Sequence, residues 1–177
     1  NKGRNTMKKK AFFLDRDGVL SQENGYVTTL EEFTIFPYAR ESIEQIHKCG
    51  FLAIVVTNQS AIGRGLLRED DLKTMNEELV SQTGVDGVFY CPHLESEHCQ
   101  CRKPGIGLIQ QAMKEYEIQL KGSYLIGDRG SDILLGKQLG ITTVLVESGY
   151  GSQQLEQEVV PDFIYTDLLD AVNSILK

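Results

Sequence analysis

Four carboxylates, a threonine, a lysine and a tight group of cysteines and histidines are the chemically expressive residues of this 177-residue chain. The stretch AFFLDRDGVL, residues 11–20, runs four apolar residues straight into Asp15-Arg16-Asp17 and then Gly18. An apolar run of that kind is the mark of a strand buried on both faces, and a charged turn at its end is costly unless something binds there. Two further apolar runs end in the same manner. One stops at Thr57-Asn58-Gln59-Ser60, the other at Gly127-Asp128-Arg129-Gly130-Ser131-Asp132.

If these strands are neighbours, Asp15, Asp17, Asp128 and Asp132 converge. Two like charges about 4 Å apart repel by roughly 4 kcal/mol at an effective dielectric near 20. Such a cluster asks for a hard divalent cation, and oxygen ligands with room for water suit Mg²⁺. Magnesium held by carboxylates points to phosphate chemistry. One Asp at the end of the first strand can attack phosphorus, and a second, two residues on, can protonate the leaving oxygen and then activate water. Thr57 can hydrogen-bond the transferring phosphoryl group, and Lys103 is the best-placed lysine to balance its charge.

CPHLESEHCQCRKP, residues 91–104, offers a second metal chemistry. Cys91, His93, Cys99 and Cys101 supply the sulfur and nitrogen ligands of a closed tetrahedral zinc site, with His98 a fifth candidate for four places. A zinc with no open coordination position is scaffold: it organises the loop that leads into Arg102 and Lys103. The alternatives are a disulfide, for which a reducing compartment gives no reason, or unrelated core thiols.

Strand-like and helix-like segments alternate to position these groups. Strands are expected at Ala11–Leu14, Phe51–Val56, Gly87–Tyr90, Ser123–Ile126 and Thr142–Val146, with an edge strand at Phe163–Tyr165. Helices are expected at Ala39–Lys48, Glu69–Gln82, Ile106–Glu117, Asp132–Leu139 and Leu168–Leu176. Repeated strand–helix–strand units imply an α/β fold: a three-layer, doubly wound parallel sheet that binds ligands at the carboxyl ends of its strands. The net charge of −7, with no basic stripe, argues against nucleic-acid or anionic-membrane binding; Lys8-Lys9-Lys10 reads as a solvated edge. Apolar runs fall far short of a membrane span, and no signal-peptide pattern is seen, so a cytoplasmic monomer with reduced thiols is expected. Asn1 to Thr6 precede Met7 and are set aside as upstream residues, leaving one domain over 7–177. Cys49 is expected as a small apolar filler and His47 on a solvated helix face.

LDRDGV, VVTNQS, RKP and IGDRGSDI, in that order, resemble the four signature motifs of the haloacid dehalogenase-like phosphatases, over about residues 11–150. The resemblance implies a Rossmann-like sheet with Asp15 as nucleophile, Asp17 as general acid/base, and Thr57 and Lys103 as the phosphoryl-binding pair. It also implies that Asp15, the Asp17 backbone carbonyl and Asp128 hold Mg²⁺; Asp132 matches a second acidic position whose role varies across the family, and Arg129 lies between the two. With Gly25-Tyr26-Val27, TNQSAIGRG and CPH…C-x-CRKP, the chain is similar to the subfamily of heptose-bisphosphate and histidinol-phosphate phosphatases, whose members bind zinc at the positions of Cys91, His93, Cys99 and Cys101. Two departures leave the substrate open: only five residues separate His93 from Cys99, fewer than in the heptose enzymes, and Gly130-Ser131 is not the usual filling of the fourth motif.

Asp15 and Thr57 are 42 positions apart, a gap that one helix and its loops fill. The stretch from Thr57 to Lys103 takes one helix, one strand and the zinc loop. Neither leaves room for a cap domain, so a capless, open site must select its substrate through Tyr26, Asn58, Gln59, Ser60, Arg64 and Arg102. Tyr26 reads as either a lid over substrate or a residue packed in its own loop. Two arginines suit a second phosphate, which a guanidinium clamps bidentately, better than they suit a cationic amino alcohol. Of the substrates that the resemblance implies, this favours D-glycero-D-manno-heptose 1,7-bisphosphate, losing its 7-phosphate, with histidinol phosphate or another small sugar phosphate as the alternative. A phosphoacceptor signalling module would carry its accepting Asp at the end of strand three, where this chain has Cys91. A non-catalytic zinc-stabilised binding protein is the remaining rival.

Overall fold

The computed structural model describes residues 7–177; Asn1 to Thr6, read above as upstream residues, lie outside the described residues. Six parallel strands form one sheet: β1 (Ala11–Leu14), β2 (Leu52–Asn58), β3 (Gly87–Cys91), β4 (Tyr124–Gly127), β5 (Thr142–Val146) and β6 (Phe163–Tyr165), in the order β3-β2-β1-β4-β5-β6. Among the described residues five helices cover it: α1 (Ala39–Lys48), α2 (Glu69–Thr83), α3 (Gly107–Glu115), α4 (Gly130–Leu139) and α5 (Leu168–Ile175). Among the described residues no helix is long and apolar enough to cross a membrane.

The two-residue period of the strands sorts the core into two layers. Phe12, Leu14, Ala53, Val55, Ile126, Val144 and Val146 pack with α1, α2 and α5. Ala11, Phe13, Ile54, Val56 and Leu125 pack on the opposite face with α3 and with Leu135 of α4. Each helix presents the stripe that a 3.6-residue repeat requires, as with Ala39, Ser42, Ile43 and Ile46 of α1 and Leu72, Met75, Asn76 and Leu79 of α2. β1 has a partner on both sides, Leu14 lying opposite Val55 of β2 and Ile126 of β4. This explains why its four residues carry no polar alternation.

Several boundaries move. β2 runs on to Asn58 because its ladder with β3 continues through Thr57–Tyr90 and Asn58–Cys91, which puts Thr57 inside the strand. α4 starts at Gly130, so Asp132 stands in its first turn, and α3 spans Gly107–Glu115. One 3₁₀ turn, Glu95–Glu97, lies within the cysteine-rich loop. Cys49 is exposed and not a filler: it caps α1 ahead of Gly50, beyond the buried stripe. His47 is on the solvated face as expected, paired with Asp86 at 2.7 Å.

The chain passes from β1 toward β2 on one side and returns through β4 on the other, so β1 and β4 flank the point where strand order reverses. Gly18 makes the turn that follows β1, with φ of +90°. A Cβ there would fall 2.3 Å from Asp128 Oδ2. Gly84, which ends α2 at φ +84°, has only Ile43 Cγ2 nearby, at 4.0 Å. Gly84→Ala should therefore cost only the left-handed strain, about 1–2 kcal/mol. Gly18→Ala should cost clearly more, because the methyl group meets a buried carboxylate as well. Urea unfolding of the two variants checks this ranking.

Candidate active site

The carboxyl ends of β1, β2 and β4 and the start of α4 enclose a cleft of about 310 Å³. Asp15, Asp17, Thr57, Lys103 and all six residues expected to select substrate line it, together with Arg129 and Ser131. Lys103 lies at its base. Its Nζ is 3.2 Å from Asp15 Oδ1 and 2.6 Å from Asp132 Oδ1. Burial alone pulls the ammonium's pKa down, but Asp132 and Asp15 overcome that and hold it above its usual value. Lys103 is therefore charged at neutral pH.

Asp15, Asp128 and Asp132, all buried, each bring a carboxylate oxygen within 4.8 Å of the others. Asp15 Oδ1 also accepts the Arg16 N–H at 2.8 Å. Asp132 spends one oxygen on Lys103 and the other on the Arg129 N–H at 3.3 Å, so it acts as partner to the lysine. Asp128 accepts the Tyr150 N–H at Oδ2, 3.0 Å away, while its buried Oδ1 has no partner among the described residues. Burial, with Asp15 and Asp132 adding to it, pushes the Asp128 carboxyl up from 3.8 to about 9. Asp132 rises to about 6, mainly through burial and against the pull of Lys103. An orphaned, buried carboxylate oxygen beside two more acidic groups fits a divalent cation with oxygen preference, so the residues present suit Mg²⁺.

Asp17 faces another way. Its Oδ1 accepts from Arg16 Nε at 3.3 Å and Ser21 Oγ at 3.2 Å; its Oδ2 accepts from Arg16 Nη2 at 3.1 Å and Gln59 Nε2 at 2.9 Å. Arg16 is fully buried, reaches Asn76 of α2 at 3.3 Å and lies 4.7 Å over the Phe33 ring. That answers why an arginine separates the two acids: it fixes the second one. Gln59 also donates to Thr57 Oγ1 at 3.0 Å.

Cys91, His93, Cys99 and Cys101 bring their ligand atoms within 4.8 Å of one another. Neighbouring separations include 3.4 Å for Cys91 Sγ–His93 Nδ1, 3.2 Å for His93 Nδ1–Cys101 Sγ and 3.5 Å for Cys91 Sγ–Cys99 Sγ. Tetrahedral zinc with metal–sulfur bonds of about 2.3 Å sets ligand atoms roughly 3.3–3.8 Å apart, so the donor set fits zinc. His98 lies outside the group, exposed and with a left-handed φ of 48°. The Arg102 N–H donates to Cys99 Sγ at 3.4 Å, which joins this group to the cleft.

At the rim, Arg64 lies 5.3 Å over the Tyr26 ring and Arg129 lies 3.8 Å over Tyr150. Arg102 Nη1 is buried without a partner among the described residues. Four cations line the cleft against the carboxylates of Asp15, Asp17 and Glu23, a local reversal in a chain of net charge −7. Sequence reasoning missed Glu23 and Tyr150. Neither belongs to a periodic element, although Glu23 stands two residues before the Gly25-Tyr26 pair that was singled out. Burial, and next the charge of Asp17, raises the Glu23 carboxyl above its usual pKa.

Comparisons with known proteins bear on the family and the fold. A family model described as HAD-hydrolase-like matches residues 100–171. The chain is 37% identical to D-glycero-beta-D-manno-heptose-1,7-bisphosphate 7-phosphatase of Haemophilus ducreyi, covering 94% of this chain and 98% of that one. It is 41% identical to the enzyme of the same name from Pasteurella multocida, covering 80% and 83%. It superposes on the crystal structure of a D,D-heptose 1,7-bisphosphate phosphatase from B. bronchiseptica complexed with magnesium and phosphate, with a TM-score of 0.85, 30% identity and coverage of 94% and 98%.

The folded chain holds the Asp128 proton more tightly than the unfolded chain does. The stability this contributes is full below about pH 4 and is lost as pH rises toward 9. In magnesium-free buffer the melting temperature of the wild type, relative to that of Asp128→Asn, should fall across that window. Added Mg²⁺ should raise the wild type and leave the variant unmoved. Thermal unfolding monitored by circular dichroism checks both.

Proposed function

Starting from a chain that belongs to the haloacid dehalogenase-like phosphatases, we propose that it removes the 7-phosphate of D-glycero-D-manno-heptose 1,7-bisphosphate through a phosphorylated Asp15. The observation that carries this reading is the buried Lys103, held 3.2 Å from Asp15 Oδ1 at the base of a cation-lined cleft. A carboxylate placed beside an ammonium, at a strand end where an anion would gather, is set to be a nucleophile toward phosphorus.

The polar contacts of Asp15 fall on Oδ1, which leaves Oδ2 for attack. A bond forms from Asp15 to phosphorus as the bond from phosphorus to the sugar oxygen breaks. Asp17 gives its proton to the departing alkoxide and then takes one from the water that cleaves the aspartyl phosphate. Thr57 and Lys103 hold the transferring oxygens in both steps, and Arg16 and Gln59 keep Asp17 in place. Asp15, Asp128 and the Asp17 carbonyl would hold Mg²⁺, which when bound screens the repulsion between anionic nucleophile and anionic substrate. Cys91, His93, Cys99 and Cys101 would hold Zn²⁺ as a brace for Arg102 and Lys103.

Arg102, whose Nη1 has no partner among the described residues, and Arg64, which also lines the cleft, support a second phosphate on the substrate, as do the names of the relatives. Histidinol phosphate has no second anion for these groups. The small, cation-lined cleft supports action on a small phosphorylated sugar.

Asp15→Asn should lower kcat by at least about a thousandfold while the protein stays folded. Wild-type kcat/KM should be highest on one heptose 1,7-bisphosphate anomer and far lower on histidinol phosphate; the reverse order would overturn the substrate assignment. Purified protein should carry about one equivalent of zinc. Stripping it and restoring Mg²⁺ alone should leave kcat depressed until Zn²⁺ is returned, which metal analysis coupled to phosphate release checks.

A further inference from the structure

The carboxamide of Asn58 is committed to the peptide of Lys103 on both sides. The Lys103 N–H donates to Asn58 Oδ1 at 2.9 Å, and Asn58 Nδ2 donates to the Lys103 carbonyl at 3.3 Å. A side-chain amide sets one acceptor beside one donor, so it can bind the N–H and the C=O of a single residue at once. Lys103 needs such a hold. It lies in irregular chain between Cys101 and α3, yet its ammonium must be buried within reach of both Asp15 and Asp132. A small backbone shift there would leave a buried charge unpaired, which is strongly unfavourable.

The end of β2 grips the cysteine-rich loop at its beginning as well. Asn58 lies opposite Cys91 in the sheet, the Gln59 N–H donates to the Cys91 carbonyl at 2.7 Å, and the Gly63 N–H donates to the Pro92 carbonyl at 3.0 Å. The loop is thus fastened to one strand end at both its termini, and the fastening at Lys103 is the Asn58 side chain.

We propose that Asn58 is a positioning residue for Lys103, acting through the lysine backbone and not by side-chain contact with the substrate. This rests on the reading that Lys103 binds the transferring phosphoryl group. Every phosphate ester uses that lysine, so losing the clamp harms all substrates alike, whatever the leaving group.

The test compares Asn58→Ala, Asn58→Asp and Lys103→Ala, together with the Asn58→Ala, Lys103→Ala double variant. Asn58→Asp keeps an acceptor and loses the donor, and stands in if the alanine variant does not fold. Heptose bisphosphate and p-nitrophenyl phosphate are the two substrates. The expected result is an equal fall in kcat/KM on both, between about 10- and 100-fold, as misplacement of a catalytic group produces, with zinc content unchanged. In the Lys103→Ala background the Asn58 change should add less than about twofold, because the two act as one unit. A loss confined to the sugar substrate, or a full further loss in the Lys103→Ala background, overturns the positioning role. Wild-type activity of Lys103→Ala itself would instead overturn the reading of Lys103, so the two failures are distinguishable.

Discussion

Three buried carboxylates within 4.8 Å of one another are the constraint around which this molecule is built. Burial raises the pKa values of such a cluster and mutual repulsion adds to the rise, as the Asp128 carboxyl shows. Two counter-charges relieve it. One is permanent, the Lys103 ammonium between Asp15 and Asp132; the other is the divalent cation that the unpartnered Asp128 Oδ1 invites. The same arrangement that is costly in itself suits a divalent cation, so stability and the proposed function are set against each other at one spot.

The sheet order supplies the place. Only where β1 and β4 lie side by side can residues more than a hundred positions apart, Asp15 and Asp128, meet at one edge. The turn of Gly18 and the chain at Gly149 pass so close to Asp128 that a Cβ at either would fall within 2.3 Å of its Oδ2. Asp128 is thereby sealed from water on one side. The lysine arrives by another route, on a loop whose two cysteines and one histidine cluster with Cys91 and whose ends are tied to the end of β2.

Much of this was legible in the amino-acid order. Strands that end in polar groups announced the cleft, since burying an apolar run and then spending charge at its tip has few other uses. The C-x-H and C-x-C pairs announced a cluster of four soft donor atoms, and the ordered motifs the family. What could not be read were partnerships fixed by tertiary approach. Asp132 was visible as an acid but not as the mate of Lys103, 29 positions away. Arg16 was visible between two acids, yet its anchorage to Asn76 and Phe33 depends on how α2 and the long β1–α1 loop fold back. Asn58 sat in a motif that suggested substrate contact, and only the geometry turns its amide toward the loop. Glu23 and Tyr150 lie in irregular segments that carry no periodic signal.

The central claim is that phosphorus passes through Asp15 in two displacements, and its most direct test is the stereochemical course at phosphorus. Hydrolysis of a heptose bisphosphate analogue bearing a 7-phosphorothioate made chiral with two oxygen isotopes, in water enriched in the third, should yield inorganic thiophosphate of retained configuration, because two in-line inversions cancel. Net inversion would mean that water attacks the substrate directly, and would contradict the account of Asp15 as nucleophile.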